Sequence, residues 1–397
     1  MRLTRAFLLL MLVFNLSANL FAQQQPQPQK PRQQQPPPPQ QTKTPDDAEI
    51  EDDGGVIRVE TQLVDVPVFI TDKTGKPLLN LKQNNFVVYE DGKPQEISDF
   101  VATAAPFEVA LLLDTSGSTR SDLPLIQRAA ENFIASLRPG DRVSIIAFDS
   151  AVVGGRRTAV SRVLANLTDD RAKLRDVLAQ MQVSNGTPYY DSLLQVVDSV
   201  FTEKPKDEFR GRRALVALTD GVDSVSLSDF SEVREKFQQA GIVSYFVQVD
   251  TREFFEENLL GDCEQSMRFS TAQIRRYYRA FYPKSGSGGE KVFDFCRLGD
   301  FERLAISKKL YELADAEMNE LAKSSGGKVF PVADLSEVRA AFKKVADEIG
   351  TKYSLGYYPS NDKRDGSYRK IRVELKGVPG AAGAQIRARE GYTAPAN

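Results

Sequence analysis

Five oxygen-bearing side chains carry the chemistry this chain can offer. Asp114, Ser116 and Ser118 stand at i, i+2 and i+4 in "LLLDTSGSTRS". On an extended loop that spacing turns three side chains toward one point. Thr187 sits in "SNGTPYYD", directly ahead of a helical stretch, and Pro188 biases it toward an extended conformation. Asp220 closes the apolar run "ALVALTDG", where Gly221 permits a tight turn. Two carboxylates and three hydroxyls suit a hard cation: Mg²⁺ first, with Mn²⁺ and Ca²⁺ as alternatives. Two ionised carboxylates nearly balance a divalent ion, and a carboxylate from a partner would complete its shell. Any one of these loops alone reads as a polar turn or a helix cap, which Ser and Asp commonly supply. Three such loops at strand ends favour the cation.

Composition narrows the choice of function. The 397 residues allow two or three domains and carry a formal net charge of −2 with acids and bases interspersed. That balance argues against a nucleic-acid binder, which would show a basic face. The chain has no histidine, so a Ser-His-Asp triad, a Cys-His pair and a His-ligated zinc site are excluded within it. Two cysteines, Cys263 and Cys296, are expected to pair in an oxidising compartment, the alternative being two buried thiols. The bridge would close a loop of about 30 residues, worth about 3–4 kcal/mol by loop entropy.

The elements that must position the five side chains follow from hydrophobic pattern. "MRLTR", "AFLLLMLVFNL" and "SANLFA" read as a secretory signal peptide over 1–22, with an uncleaved anchor as the alternative. Residues 23–55 are a Gln/Pro-rich and then acidic linker, too poor in apolar residues to fold. Residues 56–104 alternate and carry an Asp-Gly hairpin signal in "YEDGKPQ", which predicts a small β unit. From 105 to 351 short apolar runs, "FEVALLL", "RVSIIAF", "RALVALT" and "IVSYFVQV", alternate with helical stripes. That texture predicts a doubly wound, mostly parallel α/β sheet, whose sites lie at the carboxyl ends of its strands. Residues 251–305, which hold both cysteines, interrupt the rhythm and read as an insertion. Within it "SGSGG" lacks the lysine and hydroxyl of a phosphate loop. Tyr277 and Tyr278 suit recognition or packing equally. Arg156, Arg157 and "RGRR" at 210–213 read as solvated charge. Residues 352–397 return to strand and are expected to pair with the N-terminal β unit. No segment of the mature chain reads as a membrane span.

"DTSGS", "GTPYYD" and "LTDG" on an α/β frame together resemble the von Willebrand factor A domain and its metal-ion-dependent adhesion site. The flanking segments "DKTGKPLLNL", "FVVYEDGKPQ" and "RAREGY" are similar to a bacterial exported group of such proteins. The resemblance implies that Ser116, Ser118 and Thr187 touch the metal directly, and that Asp114 and Asp220 act largely through water. It also implies a binding role rather than catalysis, with the cation receiving a partner protein's Asp or Glu. Two enzymes share part of the pattern. An aspartic protease needs glycine where Ser116 stands, and a haloacid-dehalogenase-type phosphatase needs aspartate there. The expectation is therefore a secreted or periplasmic, metal-dependent adhesion or scaffold module and not an enzyme. The alternative is an assembly subunit whose metal site is vestigial.

Overall fold

The computed structural model describes residues 63–117, 122–283, 295–379 and 381–396, the side chain of Val153 excepted. All of them fall within the unit Val59–Asn397. The expected signal peptide, the linker, the tip "SGSGG" and Ser118 lie outside the described residues.

The chain opens with β1 (Val64–Thr71), β2 (Phe86–Glu90), β3 (Lys93–Gln95) and β4 (Ile97–Val101). The α/β portion follows: β5 (Glu108–Leu113), α1 (Leu123–Ser136), β6 (Arg142–Val153), β7 (Arg156–Thr168), α2 (Arg171–Ala179), α3 (Tyr189–Gln195), β8 (Arg213–Thr219), α4 (Phe230–Ala240) and β9 (Val243–Val249). It continues through α5 (Arg252–Leu259), α6 (Thr271–Phe281), α7 (Asp300–Ser325), β10 (Lys328–Val332) and α8 (Val338–Ile349). Strands β11 (Tyr353–Tyr357), β12 (Tyr368–Leu375), β13 (Gln385–Ala388) and β14 (Gly391–Thr393) end it.

Six strands form the central sheet in the order β10-β9-β8-β5-β6-β7, parallel throughout except for the β6–β7 hairpin at one edge. Every residue of β5 is buried, as a strand covered by helices on both faces demands. One face packs Leu111, Leu113 and Val216 against Ile126, Phe133 and Phe342; the other packs Leu112 and Ala217 against Tyr190, Leu193 and Phe237. Helix α4 shows why its boundaries fall where they do. Asp229 caps its start by accepting from Ser231 N and Glu232 N, and Gly241 ends it at φ 64°.

Both chain ends build two four-stranded sheets, β13-β1-β11-β4 and β14-β12-β2-β3. Strand β1 pairs antiparallel with β11, with Val66 opposite Leu355, and β2 pairs with β12, with Val88 opposite Val373. Their inward side chains, among them Val68, Phe86, Val88, Leu355 and Val373, form one core.

Several elements were not legible as pattern, among them β7, β10 and the helices of the expected insertion. Strand β7 extends β6 into a long hairpin, β10 is a short edge strand, and α7 runs for 26 residues beginning inside the expected insertion. One expectation is corrected. Within "RGRR", Arg212 is fully buried. Its guanidinium donates to the carbonyls of Pro106 (3.0 Å), Lys352 (3.0 Å) and Ala105 (2.6 Å) and lies 4.1 Å from the Phe107 ring centroid. Arg213 pairs with Glu108 at 2.9 Å. Backbone carbonyls arriving from two other segments turn an apparently solvated cation into a core cross-link. Periodicity in one dimension does not record that.

Candidate metal-binding edge

Strands β5 and β8 are parallel neighbours, with Leu113 opposite Leu218. Asp114 and Asp220 therefore leave the same edge of the sheet. Asp114 N still donates to Leu218 O (2.9 Å), so the ladder continues into the site. Both Asp114 and Ser116 are buried. Ser116 N donates to Asp114 Oδ1 (3.0 Å), and Thr219 Oγ1 donates to Asp114 Oδ2 (2.7 Å). Gly221, at φ 74°, makes the turn after Asp220 and donates its N–H to Thr219 Oγ1 (2.9 Å). Asp220 Oδ1 accepts from Val222 N (2.8 Å), and Thr251 Oγ1 donates to Asp220 Oδ2.

The third loop is held by the second. Thr187 N donates to Ser224 Oγ (2.8 Å), and Ser224 N donates to Thr187 O (2.9 Å). Tyr189 N, at the start of α3, donates to Asp223 Oδ1 (3.0 Å). The Thr187 hydroxyl makes no hydrogen bond among the described residues, so its oxygen is available to a ligand. Four of the five expected residues are thus seated on loops that share an edge and are tied to one another; Ser118 is outside the described residues.

The electrostatics suit a cation. Burial raises both carboxylates above their usual range, and Asp220 is pushed up to about 7, with the charge of Asp114 the next cause. The hydroxyls of Ser116 and Thr219 act in the opposite sense on Asp114, by hydrogen-bonding its charged form. Two mutually repelling carboxylates, one buried and one half-buried, would be relieved by a divalent ion between them. Among the described residues no group of three or more acidic or cysteine side chains converges. A cation here would rest on two carboxylates and on hydroxyls, the donor chemistry of Mg²⁺.

Residues beyond the sequence motif complete the edge. Asp223 is wholly buried, accepts from Ser226 N (3.2 Å) and pairs with Arg276 Nη2 of α6 at 3.1 Å. Burial outweighs that guanidinium, and the Asp223 carboxyl is still held above its usual range. The same guanidinium lies 4.1 Å from the Tyr190 ring centroid, and Tyr190 donates its hydroxyl proton to Glu317 of α7. Tyr311 OH lies 2.8 Å from Thr251 Oγ1. Val222, two residues after Asp220, packs with Leu259, Ile274, Leu310 and Tyr311. The expected insertion is therefore a wall of this edge. Cys263 and Cys296 are bridged within it, with Cα atoms 5.2 Å apart. On α6, Tyr277 is half-buried against Tyr278, Phe281 and Tyr282, while Tyr278 and Tyr282 are exposed. Thr251 had a signal, a hydroxyl two residues after a core strand; Arg276 had none.

The family model described as von Willebrand factor type A domain matches residues 109–222. None of the curated proteins matches the chain. Among solved structures, a von Willebrand factor type A protein from Catenulispora acidiphila is 12% identical, covering 85% of this chain and 75% of that one at a TM-score of 0.40. The conserved hypothetical protein BatB from Bacteroides thetaiotaomicron is 15% identical over 61% of this chain and 98% of that one, at 0.36. Proximal thread matrix protein 1 from the mussel byssus is 12% identical, covering 69% of this chain and half of that protein's length, at 0.40. Residues 109–222, from the second residue of β5 to the turn after Asp220, belong to a von Willebrand factor type A domain.

Proposed function

We propose that this protein is an exported, metal-dependent protein-binding module, and not an enzyme. Domains of this type often mediate protein interactions, and the reading here is that a divalent cation, Mg²⁺ first, receives a partner's Asp or Glu carboxylate. The observation that carries it is the pair of carboxylates, Asp114 buried and Asp220 half-buried, on adjacent strand ends. Each is oriented by a neighbouring hydroxyl, and the Thr187 oxygen stands on the loop tied to them. Bound there, the cation would supply a Lewis-acidic position for an anionic side chain. The chain's own part is to hold Asp114, Ser116, Ser118, Thr187 and Asp220 in place and to shield them from water. Export is supported by the signal-like N-terminus and by the Cys263–Cys296 bridge, which persists best outside a reducing cytosol. Among the described residues no helix is long and apolar enough to cross a membrane.

Calorimetric titration with Mg²⁺ and with Mn²⁺ tests the reading. The mature chain is expected to bind one ion and Asp114→Ala to bind none. Equal binding by both, or none by either, refutes the site. Capture of a partner with and without chelator then separates this function from an assembly subunit with a vestigial site, whose partner would stay bound in chelator.

A further inference from the structure

A second candidate site lies at the opposite end of β8. The metal edge follows Thr219, whereas Arg213, the first residue of β8, lines a cleft of about 1020 Å³. The strand separates the two by about 20 Å. The cleft runs from Lys204 and Pro205, past the C-terminal end of α4, to the loop between β11 and β12 and to Thr393–Ala396. Its volume is at the upper limit for small-molecule pockets, about 300–1,000 Å³. Its walls come from parts of the fold distant in sequence, which suits an extended ligand.

Charge indicates what would lie there. Seven cationic side chains and three carboxylates line the cleft, a local excess of +4 in a chain of net charge −2. Some of those cations are already paired with carboxylates outside the cleft: Arg210 with Asp207 and, at 3.8 Å, with Asp99, Arg213 with Glu108 at 2.9 Å, and Arg369 with Glu90 at 3.4 Å, so four cations face the three lining carboxylates, an excess of +1. Others are not. Lys204, Lys363 and Arg364 are exposed and make no ion pair among the described residues. Arg389 is buried and donates only to carbonyls, those of Asp65 (3.1 Å), Gln238 (2.8 Å) and Gly391 (3.2 Å). Solvated cations from two separate segments facing one concave surface focus a positive potential on it. Tyr358, half exposed at 53%, and the Gln238 and Gln239 side chains add apolar and amide contacts that a bare ion would not need.

We propose that this cleft binds an extended peptide segment rich in Asp and Glu. The site is independent of the metal edge, and the test keeps the two apart. The full chain, in buffer with chelator, is titrated with labelled decaglutamate, with inorganic polyphosphate of similar length and with decalysine. Saturable one-to-one binding of decaglutamate is expected, weakening as salt is raised. The Lys363→Glu/Arg364→Glu variant should raise the Kd at least tenfold, and Lys204→Glu should raise it by itself. Arg156→Glu/Arg157→Glu, on the exposed β6–β7 hairpin, should leave it unchanged. Absence of saturable decaglutamate binding, binding indifferent to Lys363→Glu/Arg364→Glu, or binding of polyphosphate without decaglutamate would each overturn the proposal.

Discussion

Removing the Arg276 guanidinium tests whether the disulfide-bridged wall organises the candidate metal-binding edge. Asp223 is fully buried, and Arg276 is its charge partner at 3.1 Å with only 17% of its own side chain exposed. Breaking a buried ion pair by deleting one partner costs about 3–5 kcal/mol, because the remaining charge is left uncompensated. Two features set the value within that range. Asp223 keeps the N–H groups of Tyr189 and Ser226, and its carboxyl is already biased toward protonation by burial, so it can shed part of the penalty. The contact of Arg276 with the Tyr190 ring adds up to about 2 kcal/mol when desolvated. Arg276→Met should therefore cost about 3–4 kcal/mol. Urea unfolding followed by tyrosine fluorescence reads this directly, since the chain has no tryptophan. Asp223→Asn in the Arg276→Met background should recover at least half of the loss, because the asparagine still accepts from Tyr189 N without burying a charge. A loss below about 1 kcal/mol, or strictly additive effects in the double-mutant cycle, would refute the argument.

Three further outcomes follow from the packing. Lys352 is wholly buried, donates to Gly326 O (2.8 Å), and is pushed down to about 7 by burial and by Arg212. Between about pH 7 and its ordinary value of 10.5 the unfolded chain binds the extra proton, so stability should rise with pH there by up to about 1.4 kcal/mol per unit. Lys352→Met should remove that slope, and equal slopes in pH-dependent unfolding would contradict it. Replacing Cys263 and Cys296 by serine should cost about 3–4 kcal/mol by loop entropy for a separation of 33 residues, measured in the same urea assay. Gly327→Ala should destabilise the chain by more than 2 kcal/mol in thermal unfolding, because the new Cβ would stand 1.9 Å from Ser244 O, a backbone atom that cannot step aside.

The sequence by itself determined the layered α/β body, the β sandwich from both chain ends and the loops that carry the candidate ligands. Each has a local cause. Continuous apolar runs such as Glu108–Leu113 need cover on both faces, alternating runs such as Tyr368–Leu375 need it on one, and an aspartate directly after a buried strand must emerge at its carboxyl end. Strand β10 escaped because Lys328–Val332 is short and carries Pro331, which its edge position tolerates. Helix α7 escaped because its buried stripe includes Arg303 and Ser307, which carry no hydrophobic signal, while the apolar Phe301 lies on its exposed face.

Only the tertiary structure decided what surrounds the candidate ligands. It brought Thr251 to Asp220, Arg276 to Asp223 and Tyr311 to Thr251, from segments 31, 53 and 60 residues away along the chain. It also buried Arg212 among carbonyls and gathered Lys204, Lys363 and Arg364 along one cleft. The physical reason is the same in each case. A charged or hydroxyl side chain carries no hydrophobic period, so its environment is set by which backbone and which counter-charge the packed sheet brings within hydrogen-bond reach.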